Sequence, residues 1–579
     1  MDTIKYTDII KFNNELRKQS TEISFNITIL SNIMVHYVKD VLEYVLREQK
    51  LNPSLKLGDY DNIIQNSGDG TIDEKDIVII FWELSNLMDG LQYKIDTLDD
   101  DYIEDLTEKL KSEIDLVLKN LENQPLVIIN YFTSLVFNLY NLGINKLDTL
   151  ASSLNHYLDL KKPKNVQLVN LDRILAQVSV KGSVNFRDYY ASKSLYTIPF
   201  FKTYSEHIAP IILSIKGKSK KAIIFDCDNT LWKGIIGEDG IEGIKMSAEK
   251  KATTYEAVQY IAKSLCKEGV ILGLCSKNNF EDVNQVIDLH QDFCLTNDEI
   301  VIKKVNWSDK ISNLKEIAED LNIGIDSFVF VDDSDFEVNL VREQLPEVTV
   351  VQVPTNTIQD YPELISKSKR LFFNVSNTTE DLDKAQLYKK EIKRKESASS
   401  YENIDDYIMS LGLVLEIFIN QKEIVPRLAQ LTQKTNQFNL TTKRYTEQDI
   451  LNFMDKGASV IAFSVKDRFG ESGITGLAIL IFEDNVAIID SLLMSCRILG
   501  RNIEYKFFDE LIKIVKDKGV MYLKSSFVKT LKNTQVATLY DKQGFMMVNE
   551  DENKKLYQLK LSDYIFGNLD YIKILNFKK

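Results

Sequence analysis

Cysteine is scarce in this 579-residue chain, proline is scarcer for its length, and long apolar runs are absent. Its five cysteines, Cys227, Cys266, Cys275, Cys294 and Cys496, stand singly. An odd count without paired spacing argues against a disulfide framework or a zinc site and for reduced thiols in the cytosol. No apolar run approaches the ~20 residues that cross a bilayer. The opening Met1-Asp2-Thr3-Ile4-Lys5-Tyr6 lacks the charged start and apolar core of a signal peptide. A cytoplasmic protein with no membrane partner is therefore expected. Basic charge is in deficit, with 71 Lys and Arg against 85 Asp and Glu and a net charge of −14. That disfavours nucleic acid as a partner. Nine prolines and few low-complexity stretches imply closely packed domains rather than domains on long linkers. The length suggests about three or four of them.

What the chain does have is a buried run leading into acid: Ala222-Ile223-Ile224-Phe225-Asp226-Cys227-Asp228-Asn229-Thr230-Leu231-Trp232. A short continuous apolar run reads as a parallel strand, and open α/β sheets build their sites at the carboxyl ends of strands. Asp226 and Asp228, two apart, share a face and repel unless a cation or a shared proton intervenes. Two more strands follow. Val270–Cys275 ends in Ser276-Lys277-Asn278, and Ser327–Val331 ends in Asp332-Asp333-Ser334-Asp335. Between them Asn306-Trp307-Ser308-Asp309-Lys310 opens a helix to about Leu321. The gaps from Thr230 to Ser276 and from Ser276 to Lys310 are too short for a separate cap domain. Any site here is open, or is closed by neighbouring domains.

The flanks also read as α/β. Strands are expected at residues 23–30, 76–82, 125–132 and 166–170, with helices at 34–49 and 102–121. Alternation of this kind gives a parallel sheet. Past residue 375, Thr378-Thr379-Glu380-Asp381 resembles a capping box opening a charged helix to about Lys395. Strands at 411–419, 458–465, 475–482 and 486–494 follow, with a helix at 423–437 among them. Then come Ser495-Cys496-Arg497-Ile498-Leu499-Gly500-Arg501-Asn502 and a helix to about 515. A strand at 522–527 and a helix at 530–540 complete the pattern. Arg497, Gly500 and Arg501 at a helix start suggest an anion cradle for a pyrophosphate or a phosphopantetheine phosphate. Cys496 beside them has the setting that activates a thiol. Cys227, by strand alternation, points away from Asp226 and reads as packing.

Three resemblances follow from these stretches. The ordered set Asp226-x-Asp228-x-Thr230, Ser276, Lys310 and Asp332-Asp333 resembles the haloacid-dehalogenase (HAD) phosphohydrolases. The resemblance implies that Asp226 attacks phosphorus and that Asp228 moves the proton. It also implies Mg²⁺ held by Asp226, the Asp228 carbonyl and Asp332, with Asp333 close by. Lys310 would offset charge, Ser276 would bind phosphate, Thr230 would brace the loop, and Asn278 reads as a turn or substrate-binding residue beside them. The late pattern with Asn533, Tyr540 and Gly544-Phe545 resembles the GNAT acyltransferase fold. The first 215 residues resemble an SGNH-hydrolase-like, flavodoxin-like domain. Its Leu30-Ser31-Asn32-Ile33 turn lacks the Gly-Asp-Ser of a working esterase, and Asp188 and His207 are its late acid and histidine. This domain is expected to be non-catalytic.

Together with Gln433-Lys434-Thr435-Asn436-Gln437-Phe438-Asn439, Asp467-Arg468-Phe469-Gly470 and Ser495-Cys496-Arg497, the chain from about 216 to 560 resembles the FkbH-like proteins, HAD subfamily IIIC. It reads Asp332-Asp333-Ser334-Asp335-Phe336-Glu337 where that family usually has Asp-Asp-Asn-Pro-Phe-Glu. The resemblance implies an enzyme of assembly-line biosynthesis. Such an enzyme takes a phosphorylated small molecule, 1,3-bisphosphoglycerate, and loads its glyceryl unit on the phosphopantetheine arm of an acyl carrier protein. The rivals are a plain HAD phosphatase with a docking GNAT-like domain and an idle carrier-protein scaffold. The expected layout is 1–215 SGNH-like, 216–375 capless HAD core, and 376–579 linker helix with GNAT-like domain.

Overall fold

The structure, a computed structural model, describes residues 5–19, 24–247, 252–375, 384–398, 401, 403–530 and 532–578. The capping box expected at Thr378-Thr379-Glu380-Asp381 lies outside the described residues. The chain divides into two units, Met1–Leu213 with Tyr445–Asp449, and Ser214–Arg444 with Ile450–Lys579. The second unit carries both the expected HAD core and the expected GNAT-like region.

The first unit holds a parallel sheet of β1 (Phe25–Ser31), β2 (Pro53–Leu57), β3 (Ile77–Phe81), β4 (Leu126–Asn130) and β5 (Val166–Val169). Its order, β2-β1-β3-β4-β5, is the flavodoxin-like doubly wound order. Leu30, Val78, Ile80, Val127 and Ile129 pack on Leu106, Leu110 and Ile114 of helix Asp100–Asn120. The strand Pro53–Leu57 was not expected. It is an edge strand, half exposed and opened by a proline, and so lacks the apolar run that marks the central ones. Ser31 is buried, and its hydroxyl accepts the Ile33 N–H at 3.2 Å. Asn185 caps helix Phe186–Ser192, accepting the Asp188 N–H at 3.3 Å and donating its amide to the Asp188 carboxylate at 2.6 Å.

In the second unit β6 (Ala222–Phe225), β7 (Ile271–Ser276), β8 (Ile300–Val305), β9 (Phe328–Asp332) and β10 (Thr349–Gln352) form a second parallel sheet. Its order is β10-β9-β6-β7-β8, so β6 is central. All four residues of β6 are fully buried, which is why it reads as an unbroken apolar run. The sequence did not mark β8 or β10, the two edges. From Thr230 to Ser276 come helix Ile236–Gly243, an antiparallel bridge Lys233–Lys245 and helix Thr253–Lys267, a flap rather than a cap.

The third sheet has eight strands in the order β16-β17-β15-β14-β13-β12-β11-β18. These are β11 (Val414–Ile419), β12 (Ser459–Asp467), β13 (Gly470–Glu483), β14 (Val486–Met494), β15 (Tyr522–Val528), β16 (Met546–Glu550), β17 (Lys554–Lys560) and β18 (Lys573–Lys578). Strands β14 and β15 are parallel but pair only at Val486–Ile488 with Tyr522–Lys524, and beyond that they part. The helix expected at 530–540 is instead a short turn, Thr534–Val536, and helix Leu539–Lys542.

Helix Lys384–Ala398 joins the second sheet to the third. Its Tyr388 is buried in the core of the second sheet. Its Arg394 grips Asp467 of β12 with two hydrogen bonds of 2.8 Å, and Glu391 takes Arg501. No described helix is long and apolar enough to cross a membrane.

Candidate functional site

Asp332 ends β9, Asp226 follows β6 and Ser276 ends β7. Since β9, β6 and β7 are neighbours, the three side chains stand in a row along the carboxyl edge. Lys310, first residue of helix Lys310–Leu321, is set there by the Asp309 N-cap, which accepts the Ser312 N–H at 2.8 Å. Lys310 Nζ lies 3.0 Å from Asp226 Oδ1 and 2.6 Å from Asp332 Oδ2. Carboxylate oxygens of Asp226, Asp332 and Asp333 all fall within 4.8 Å of one another. Three hard oxygen donors at that spacing fit a Mg²⁺-sized cation.

The electrostatics follow from the crowding. Burial, with the Asp226 charge behind it, lifts the Asp332 carboxyl to about 7 despite Lys310. Burial and Asp226 lift Asp333 to about 6. Burial alone would push the Lys310 ammonium down, but the charges of Asp226 and Asp332 carry it above the ordinary lysine value. The Asp335 carboxylate accepts from Gln352. Ser334 caps helix Asp335–Gln344.

Asp228 sits apart from the carboxylate triangle. Its Oδ1 accepts Trp232 Nε1–H at 2.9 Å and the Ile236 N–H at 3.0 Å, and its Oδ2 accepts from Asn278 at 2.9 Å. Burial raises its pKa against these three donors. Asn278 also donates to Ser276 Oγ at 3.1 Å. Asn278, expected as a turn or substrate-binding residue, thus ties the Asp228 carboxylate to Ser276. Trp232 also holds Asp228 and was not singled out, although it sits four residues after Asp228 in the same stretch. The Thr230 carbonyl accepts Tyr361 O–H at 3.1 Å, while its buried hydroxyl has no partner among the described residues. Cys227 is fully buried in the core, and burial pushes its thiol well up.

The second group of expected site residues is dispersed. Arg501 is buried and bonded to Glu391 and, at 2.6 Å, to the Arg497 carbonyl. That corrects the expected cradle, because its guanidinium is consumed by a structural ion-pair network. Gly500 has a left-handed φ of 78° and turns the chain into helix Ile503–Asp517. Cys496 and Arg497 do line a cavity of about 290 Å³ between the second and third sheets. Asn322 donates to the Cys496 carbonyl, and the buried Tyr388 lines the same cavity.

The gap between β14 and β15 is filled by the chain itself. Asn439 bridges Leu493, Met494 N–H donates to the Phe438 carbonyl at 3.0 Å, and Val528 N–H to the Leu440 carbonyl at 2.7 Å. Asn533 clamps the insert by donating to the Asn439 carbonyl at 2.9 Å. Among the described residues the insert thus pairs with both parted strands.

Fold and site together define an α/β protein with a carboxylate–lysine centre on the carboxyl edge of a parallel sheet. A solved structure shares that fold: the N-terminal part of the protein BF1531 from Bacteroides fragilis, containing a phosphatase domain and complexed with Mg. It is 24% identical with a TM-score of 0.56, covering 65% of this chain and 100% of that one. Two N-acetyltransferases also match, at lower TM-scores. The paia enzyme from Thermoplasma acidophilum, in complex with coenzyme A, is 17% identical over 25% of this chain and 98% of its own, TM-score 0.21. The ribosomal-protein-S18-alanine N-acetyltransferase from Escherichia coli is 13% identical over 27% and 97%, TM-score 0.21. No protein-family model matches the chain, and neither does any curated protein.

Proposed function

We propose that the chain is a Mg²⁺-dependent phosphohydrolase of the HAD kind acting on a small phosphorylated substrate. The observation that carries this reading is Lys310 Nζ between Asp226 at 3.0 Å and Asp332 at 2.6 Å, with Asp333 completing the carboxylate triangle. Asp226 forms a P–O bond to the substrate phosphorus as the bond from phosphorus to the leaving oxygen breaks. Asp228 delivers its proton to that oxygen. Water then attacks the aspartyl phosphate, Asp228 takes the proton of the water, and phosphate leaves with Asp226 restored. The raised pKa of Asp228 suits the first step, and its three donors suit the second. Lys310 neutralises charge on the nucleophile and the equatorial oxygens. Ser276 and the backbone beside it receive the phosphate. Asp226, Asp332 and Asp333 would hold Mg²⁺, which adds positive charge at the phosphoryl oxygens.

In the finer reading, phosphate removal is coupled to acyl transfer. A glyceryl unit from 1,3-bisphosphoglycerate passes to the phosphopantetheine thiol of an acyl carrier protein, with Cys496 as the acyl stop. Support comes from the Cys496 thiol, half-buried in a cavity beside Tyr388. Residues 1–215, 216–375 and 376–579 then act as docking, phosphoryl and acyl domains. A plain phosphatase with a docking third sheet is the second reading, favoured by the self-filled gap between β14 and β15. One experiment separates them. The chain is incubated with Mg²⁺, 1,3-bisphosphoglycerate and holo carrier protein, and phosphate and carrier mass are followed. Phosphate with a glyceryl mass gain supports the finer reading, phosphate alone the plain phosphatase, and neither product contradicts both.

A further inference from the structure

The first unit bares an apolar face that its own core does not use. Phe137, in helix Leu135–Asn138, sets its ring 6.0 Å from Tyr93 and 5.8 Å from both Phe186 and Tyr189. The Tyr93 and Tyr190 hydroxyls hydrogen-bond each other, and Tyr189 donates to Ser85 at 3.3 Å. The rings are thus locked into a platform, yet Tyr93 and Tyr190 are 58% and 64% exposed. From Phe137 the chain runs directly into a loop, residues 139–144. Its Tyr140 and Ile144 are 91% and 87% exposed, and Leu142 wholly so. The loop is built rather than frayed. Asn138 and Asn145 exchange amide hydrogen bonds of 2.7 and 3.1 Å across its base, and Asp148 accepts from Asn138 at 2.9 Å. Asn145 also reaches Asp96 at 3.5 Å, just past the Tyr93 helix. Single exposed apolar residues are ordinary, but a contiguous set held in place marks an interaction surface.

We propose that this face joins two copies of the chain about a two-fold axis, the 139–144 loop of each seated on the aromatic platform of the other. Loop and platform lie side by side on one copy. A single two-fold rotation therefore satisfies both at once, which is the self-complementarity an isologous interface needs. The area fits. With roughly 150–250 Å² for each wholly bared side chain of this size, the face offers about 800 Å², one partner's share of a standard interface. The bordering charges are paired within the copy, Lys193 with Asp89 at 3.2 Å and Lys146 with Asp100 at 2.8 Å. A rim of paired charges lets a second copy of a chain of net charge −14 approach. A strongly basic partner or an anionic membrane finds no complement there.

The test is sedimentation of the full chain over a concentration series reaching about 100 µM, since interfaces of this size dissociate at about micromolar or tighter. The expected species is a dimer. Leu142→Asp in the loop and Tyr190→Asp in the platform should each weaken it about a hundredfold or more, as for anchor residues at an interface centre. Both side chains are exposed, so thermal unfolding should not change, and Leu142→Asp stands alone if the platform variant fails to fold. Mixed in equal amounts, the two variants should recover dimer, because the mixed pair keeps one undamaged loop on one undamaged platform. A chain that stays monomeric throughout overturns the proposal, as does a dimer that survives Leu142→Asp. Two variants that each dissociate but do not recover on mixing overturn the two-fold arrangement. A monomer that binds phosphatidylcholine vesicles, and loses them with Leu142→Asp, assigns the face to a lipid surface and also overturns it.

Discussion

Lys221 and Asp226 bracket one four-residue strand and face opposite ends of the same sheet. The first lines the cavity that holds Cys496, and the second stands in the carboxylate triangle. Chemistry at the two ends is therefore separable. Alkylating Cys496 is expected to leave Mg²⁺-dependent phosphate release within about twofold, as for sites that share no partner. A loss of more than about tenfold in a single-turnover phosphate assay would show that they act on one bound molecule.

Asn278 is predicted to be a positioning residue for Asp228. Asn278→Ala removes a donor to the carboxylate and lets Asp228 swing. We expect kcat to fall by about ten- to a hundredfold, a part of what general acid–base catalysis supplies, with KM little changed. Losing a donor to the charged form also moves the Asp228 pKa further up. The basic limb of the pH–rate profile should shift to higher pH, a change that a merely structural loss would not produce.

Proton and cation compete for the triangle. Asp332 at about 7 and Asp333 at about 6 hold their protons into the neutral range without metal. A cation needs both ionised. Apparent Mg²⁺ affinity should therefore rise with pH up to about 8 and level off, and should drop by about two to three orders of magnitude at pH 5. Calorimetric titration across that range checks it. Asp332→Asn should weaken binding and flatten the dependence, and a pH-independent affinity in the native chain would rule out these ligands.

Arg394 and Asp467 are both buried and joined by two hydrogen bonds of 2.8 Å. Arg394→Ala leaves a buried carboxylate poorly compensated, a loss of about 3–5 kcal/mol. Arg394→Leu with Asp467→Leu should cost less than the single change. Thermal unfolding of the three proteins gives the ordering, and an Arg394→Ala variant as stable as the native chain contradicts the clamp.

How much of this could be read beforehand depends on burial. The central strands announced themselves, since Ala222–Phe225 and Ile77–Phe81 are buried on both faces and apolar without a break. The edge strands Pro53–Leu57 and Thr349–Gln352 were missed because half-exposed residues mask the pattern, and Ile300–Val305, though mostly buried, because Lys303 and Lys304 interrupt its apolar run. Asp226, Lys310 and Asp332 were legible because each follows or opens a recognisable element, and strand order alone brings two of them together. Arg501 misled for the opposite reason. Its glycine-preceded position at a helix start looks like an anion cradle, but its partners Glu391 and Asp467 lie 110 and 34 residues away in sequence. The Asn439 insert between β14 and β15 was equally invisible, because long-range backbone pairing leaves no local signature.

The central claim is that Asp226 carries the phosphoryl group. The direct measurement is rapid acid quench of the chain with Mg²⁺ and an acyl phosphate, followed by peptide mass analysis of residues around 222–232. The account predicts a transient gain of one phosphoryl group on the peptide containing Asp226, absent in EDTA and in Asp226→Asn, which should also release no phosphate. Phosphate release by Asp226→Asn at the native rate, or a phosphoryl group trapped on another residue, would contradict it.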